Sequence, residues 1–278
     1  MHARSFLAWL QFLRLPAVLT VPGDLWVGAV IAGRSVRWNE LLGICLAYLF
    51  GMAMHDWHDR EKDAVHRPER PIPSGRISPA QASGVCVGLA VGALGLYPAP
   101  ETGLLLLTVL AYTLCKTWVP LVGAMLMGLC RVQSIWIGTG AGLPDSTLEW
   151  AVPLGGGILI FFITLLSQVE GSGRNGGVRS ALCAAGLVLA AVAAVWLGGK
   201  QGLASWALLG ALTWVAIANH AAIKRKGQVP PSAVGRYLSM WIPLQILWLL
   251  GGGKAFESVM LIVAAVALPW LQRKVAIS

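Results

Sequence analysis

Charge is what this 278-residue chain has least of: Asp, Glu, Lys and Arg together make up 12% of it. A soluble domain of this size cannot hide 56% hydrophobic residues behind so little charge, and the mean hydropathy of +0.70 says the same, so a water-soluble globule is excluded. Strict alternation of apolar and polar residues is also missing, which excludes a membrane β-barrel. Lipid then leaves helices, because every backbone polar group must be satisfied within its own segment. Cysteine is sparse as well. Cys45, Cys86, Cys115, Cys130 and Cys183 lie scattered through apolar runs with no CxxC or other ligand spacing, so neither a disulfide framework nor a zinc site is expected and they read as small buried apolar residues. No secretory signal is expected at the start: Arg14, Pro16 and Pro22 interrupt the apolar run and no cleavage pattern follows.

What is present is a series of apolar runs near the length of about 20 residues that crosses a bilayer. They fall near 15–33, 40–58, 79–97, 102–117, 120–142, 151–169, 179–198, 203–222, 234–252 and 255–271. The fold class expected is an all-α polytopic membrane protein of nine to ten transmembrane helices. It forms one domain over 1–278, with 255–278 as an extra C-terminal helix. Thirty-three glycines suit close helix packing in lipid, and thirteen tryptophans suit interface belts. With the N-terminus inside, the outer loops hold only Arg34, Arg37, Lys200 and Lys254, and nearly all remaining Lys and Arg fall inside. That bias fits a cytoplasmic N-terminus, and the expected location is the plasma (inner) membrane of a prokaryote. Topology and anionic lipid account for the net charge of +9, so nucleic acid is not an expected partner. The sequence carries no sign of oligomeric state.

Against this apolar background one stretch stands out: His55-Asp56-Trp57-His58-Asp59-Arg60-Glu61-Lys62-Asp63, followed by Arg67-Pro68-Glu69-Arg70-Pro71-Ile72-Pro73-Ser74-Gly75-Arg76-Ile77-Ser78. It ends the second expected span, where charge is expensive to keep. His55, Asp59 and Asp63 are spaced to share one helical face, with Asp56 beside them. A hard cation such as Mg2+ would compensate these carboxylates while keeping waters and phosphate oxygens as further ligands. Arg67, Arg70 and Arg76 could then grip phosphate in bidentate fashion. The competing explanation is a solvated helix end with internal ion pairs to Arg60 and Lys62. A transition-metal site on His55, His58 and His66 lacks a supporting spacing.

Three further places carry polar groups. Tyr112 and Lys116 form a YxxxK pair at the end of the fourth span, alternatively a belt aromatic and a snorkelling lysine. The sixth span ends Ser167-Gln168-Val169-Glu170-Gly171-Ser172-Gly173-Arg174. Asp24 and Arg131 lie inside spans, where an ionised group faces a cavity or a counter-ion by default. They pair with each other, or each faces a polar cavity, with Arg174 and Arg179 adding charge from the 170–178 loop. On the expected topology the 59–78 loop, Lys116 and the 170–178 loop share the cytoplasmic side.

The stretch from 55 to 78 resembles the first signature of the UbiA superfamily of intramembrane prenyltransferases, NDxxDxxxD followed by RPxRPIPSGRIS. The resemblance implies a UbiA-type bundle with a central cavity opening to the cytoplasmic side. It also implies Mg2+-assisted transfer of a prenyl group from a prenyl diphosphate to a small acceptor that can be aromatic. It carries Asp56, Asp59 and Asp63 over as metal and catalytic residues, Lys116 as a catalytic residue meeting the diphosphate, and Arg67, Arg70 and Tyr112 as substrate-binding residues. His55 departs from the family's asparagine but can still bind substrate. The second acidic motif, commonly DxEGD, retains Glu170 and Gly171, while Gln168 and Ser172 replace both aspartates. Only Glu170 remains as an acid there, with Gln168, Asp24 and Arg131 as further substrate-binding candidates. The SQVEG variant with an arginine in the fifth span resembles the EboC-like branch. The alternative to a transferase is a catalytically altered relative that binds or helps transport a prenyl-diphosphate lipid.

Overall fold

The computed structural model describes residues 2–171, 175–197 and 202–276. In chain order its α-helices are α1 (His2–Phe12), α2 (Val21–Ile31), α3 (Trp38–His58), α4 (Arg60–His66), α5 (Pro79–Leu96), α6 (Pro100–Cys115) and α7 (Pro120–Thr139). There follow α8 (Thr147–Ser167), α9 (Gly176–Leu197), α10 (Leu203–Lys226), α11 (Pro231–Ser239), α12 (Trp241–Gly251) and α13 (Ala255–Ala276). A 3-10 turn over Leu15–Thr20 leads into α2.

The expectation of an all-helical membrane protein holds, but the count of nine to ten spans is not reproduced. Six helical stretches are both long and apolar enough to cross a bilayer among the described residues: Pro79–Leu96, Pro120–Thr139, Thr147–Ser167, Gly176–Leu197, Leu203–Lys226 and Ser232–Gly251. Val18–Ile31, Pro100–Cys115 and Ala255–Ala267 are apolar but shorter. The second expected span, α3, has 21 residues, yet Asn39 and Glu40 at one end and His55, Asp56 and His58 at the other dilute its hydropathy. The element carrying the charge run is therefore the one that reads least like an ordinary span.

The chain packs as two compact units. The first comprises 1–22, 36–114 and 266–278. Within it α3 lies along α5 and touches α1. Ala8, Phe12, Ala53, Ile72, Ile77, Ala82 and Cys86 form its small core. Glu40 starts α3 by accepting the Arg37 backbone N–H at 3.1 Å while its other oxygen takes the Arg37 guanidinium at 2.7 Å. The 67–78 loop is held by turns: Ser74 N–H donates to the Arg70 carbonyl at 2.9 Å and Ile77 N–H to the Pro71 carbonyl at 3.0 Å. Gly75 takes a left-handed φ of 74° that a side chain would resist. Ile72 and Ile77 are buried and pin the loop to the core. Ser78 then caps α5, with Pro79 at its first position and Gln81 returning the hydrogen bond.

The second unit comprises 23–35 and 115–265. Its helices approach until backbone meets backbone. A Cβ on Gly128 of α7 would sit 2.6 Å from the Gly157 carbonyl oxygen of α8, so that crossing exists only because both residues are glycine. Leu159, Leu166, Leu187, Ile223, Tyr237 and Leu247 are among the residues of the core that α8, α9, α10, α11 and α12 share. Gly128→Val is expected to cost about 1–3 kcal/mol by overpacking this crossing, read as a lowered melting temperature in detergent. Gly88→Ala in α5, where an added Cβ meets nothing within 4 Å, should leave the melting temperature unchanged or slightly raised.

Candidate functional site

The charge run is built where α3 stops. Asp59 leaves helical geometry at φ −81°, ψ 3° and stands between α3 and α4. The ladder nonetheless continues through it: Asp59 N–H donates to the His55 carbonyl at 2.9 Å and Asp63 N–H to the Asp59 carbonyl at 2.8 Å. The carboxylates therefore stay close to the expected spacing although the helix is broken. His55, Asp56 and Asp63 are buried, and Asp59 is half-buried. The His55 ring tilts against Tyr112 of α6 with centroids 4.7 Å apart, so these two expected site residues do meet.

Arginines neutralise the buried acids. Arg70 Nη1 donates to Asp63 Oδ2 at 2.5 Å and reaches Asp56 Oδ1 at 3.4 Å. Arg14 Nη2 donates to the same Asp56 oxygen at 2.5 Å. One guanidinium nitrogen thus touches an oxygen from each carboxylate, and a cation placed there would touch both. Arg67 is exposed. Arg76 is spent on structure: it donates to Gln11 Oε1 at 2.8 Å and Ser74 Oγ at 3.0 Å, fastening the loop to α1. Arg14 escaped the sequence reading as a site residue. Its one available signal was a lone cation within an apolar run. Among the described residues no three His, Cys, Asp or Glu side chains are gathered closely enough to hold a metal ion by themselves.

The second unit holds the other candidates. Helix α6 ends at Cys115, whose carbonyl accepts from the N–H groups of Trp118 at 3.1 Å and Val119 at 3.0 Å. Lys116 is therefore in the turn beyond the helix, half-buried, and not on its face. The chain turns here because Pro120 opens α7. Gln168 caps α8 and donates its amide to the Pro120 carbonyl at 2.7 Å. Glu170 is exposed and forms a bridge with Val229, and the Gly171 N–H donates to the Val229 carbonyl at 3.0 Å. Ser172 and Arg174 lie outside the described residues. Arg179 is tied to the Leu165 carbonyl.

Asp24 and Arg131 pair with each other, one of the two arrangements expected. Asp24 is 1% exposed and saturated. Its Oδ2 accepts from Arg131 and from Ser134 Oγ at 2.9 Å. Its Oδ1 accepts from Trp241 Nε1 at 3.0 Å and Gln245 Nε2 at 2.7 Å. The Arg131 guanidinium also lies 4.8 Å from the centre of the Trp241 ring, a cation–π contact. This network joins α2, α7 and α12. Asp24, Trp241 and Gln245 of this network line a largely apolar cavity of about 110 Å³, with Ile135, Gly155, Gly156, Ala193, Leu244 and Trp248 among its other walls.

Comparison with known proteins gives a consistent picture. The UbiA prenyltransferase family profile matches residues 20–241. Digeranylgeranylglyceryl phosphate synthase of Sulfolobus acidocaldarius is 30% identical over 191 residues, 62% of this chain and 67% of its own length. Protoheme IX farnesyltransferase of Granulibacter bethesdensis is 31% identical over 155 residues, and the match spans only 47% of that protein. Among solved structures, a UbiA homolog from Aeropyrum pernix K1 superposes with a TM-score of 0.62 at 15% identity over 84% of this chain and 97% of that one. A UbiA homolog from Archaeoglobus fulgidus bound to GPP and Mg2+ gives 0.57 at 15% identity, over 91% and 99%. At such identities the structures share the fold.

The buried pair makes a stability prediction. Arg131→Ala leaves Asp24 without its cation and is expected to cost about 3–5 kcal/mol. Asp24→Asn/Arg131→Gln, which removes both charges, should recover part of that loss in thermal melts.

Proposed function

Because the chain belongs to the UbiA prenyltransferase family, we propose that it is an integral membrane enzyme that moves a prenyl group from a prenyl diphosphate to a small acceptor. The observation that supports this best is the Asp56–Arg70–Asp63 arrangement. One guanidinium nitrogen bridges two buried carboxylates, so the donor set suits a cation there. Two hard carboxylate oxygens, completed by waters and phosphate oxygens, are what Mg2+ ordinarily takes. The residues fit the ion without a three-acid cluster.

In this reading Asp56 and Asp63 would hold Mg2+, with Asp59 beside them at the helix break, and the bound ion would draw charge off the leaving diphosphate. Arg67 and Arg70 bind diphosphate oxygens with charge-assisted hydrogen bonds that strengthen as the leaving group gains charge. His55 and Tyr112 support the same end of α3. Breaking the C1–O bond releases diphosphate and leaves an allylic cation, which the acceptor captures. The largely apolar cavity beside Asp24 suits a small, mostly apolar ligand. Glu170 remains the acid of the second motif, and Gln168 has a scaffolding part. The family match runs across both packing units, supporting one prenyltransferase-like domain over 1–278. The excess of Lys and Arg in loops 59–78 and 223–236 supports a cytoplasmic N-terminus in a plasma (inner) membrane.

One observation favours the second reading, binding or transport of a prenyl-diphosphate lipid without turnover: the amide of Gln168 stands where the family commonly has an acid, and it is committed to Pro120. Geranyl diphosphate and an acceptor panel, offered to the protein in vesicles, separate the two. The transferase reading expects Mg2+-dependent diphosphate release that stops with chelator and falls about a hundredfold or more in Asp59→Ala and Asp63→Ala. Full activity in those variants sinks it. Tight binding of geranyl diphosphate with no release across the panel favours the second reading.

A further inference from the structure

We infer that Arg14 is a displaceable counter-ion of the carboxylate pair, holding Asp56 until a divalent cation takes its place. The inference rests on the reading of Asp56 and Asp63 as a metal site. Charge balance leads to it. Two carboxylates, Asp56 and Asp63, face two guanidiniums, Arg14 and Arg70. These two bridged carboxylates are already neutralised by the two guanidiniums, so a divalent cation entering between them meets two resident positive charges. That is costly where water is largely excluded. One arginine has to give way, or an anionic group has to arrive with the metal.

The geometry says which arginine. Arg70 belongs to the pinned 67–78 loop, touches both acids, and its side chain is 21% exposed. Arg14 touches Asp56 alone, and its side chain is 41% exposed, so it has a path to water. Its backbone is also held away from rest. Arg14 takes φ 46°, ψ 43° in the left-handed region, without a side-chain cap, at the junction of α1 and the 3-10 turn. A non-glycine residue there carries backbone strain. Releasing Asp56 frees that residue to relax, and the freed guanidinium is then available for a diphosphate oxygen. Metal and diphosphate should therefore bind better together than apart.

The test is titration of the substrate-free protein in detergent with Mn2+, followed by electron paramagnetic resonance. Arg14→Ala should bind Mn2+ roughly tenfold tighter than wild type, because one opposing charge is gone. Arg14→Lys should stay near wild type, and Asp63→Asn should lose most binding. Arg14→Gln serves the same purpose where Arg14→Ala does not fold. Unchanged or weaker Mn2+ affinity in the neutral variants overturns the inference while leaving the metal site standing. No Mn2+ binding by any of these proteins at millimolar concentration overturns both.

Discussion

An ionised side chain removed from water must find an opposite charge close by, and the polar architecture of this protein follows from that requirement. Isolated carboxylates in an apolar interior are too costly to persist, so each buried acid here stands against a guanidinium. In the first unit Asp56 and Asp63 are matched by Arg14 and Arg70. In the second, Asp24 is matched by Arg131. The two solutions differ in kind. Asp24 has both oxygens filled by four donors from α7 and α12 and has little left to offer a ligand. Asp56 and Asp63 are held by fewer contacts, one of them a long 3.4 Å approach. The Asp24 pairing fixes helices, whereas the Asp56–Asp63 pairing is the looser one.

Glycine sets the rest of the geometry. The α7–α8 crossing brings Gly128 onto the Gly157 carbonyl, and the α2–α7 crossing brings Gly138 against Leu25 backbone. These approaches draw α2 and α7 together, which is why an aspartate on one and an arginine on the other can pair. The buried network is thus a product of small residues as much as of charged ones.

Much of this was readable in the chain. The apolar runs and the 55–78 signature needed no coordinates, because each is local: hydropathy over about 20 residues, or carboxylates on successive helical turns. What escaped the reading is long-range or terminal. Arg14 meets Asp56 across 42 positions, so no periodicity could join them, whereas the Asp24–Arg131 pair, 107 positions apart, was one of two arrangements expected of ionised groups inside spans. The break at Asp59 and the placement of Lys116 past Cys115 are boundary effects, the second decided by where the chain turns toward Pro120 at the start of α7. The number of spans is less legible, because hydropathy alone does not separate shorter apolar helices such as α6 from full crossings.

The hydrogen bond from Gln168 to Pro120 has a bearing on descent. An aspartate at 168 would be one methylene shorter and would carry no donor, so it would drop the tie between the end of α8 and the start of α7. Regaining an acidic second motif is therefore not a single-codon matter of restoring charge. It would need a second change to hold that junction.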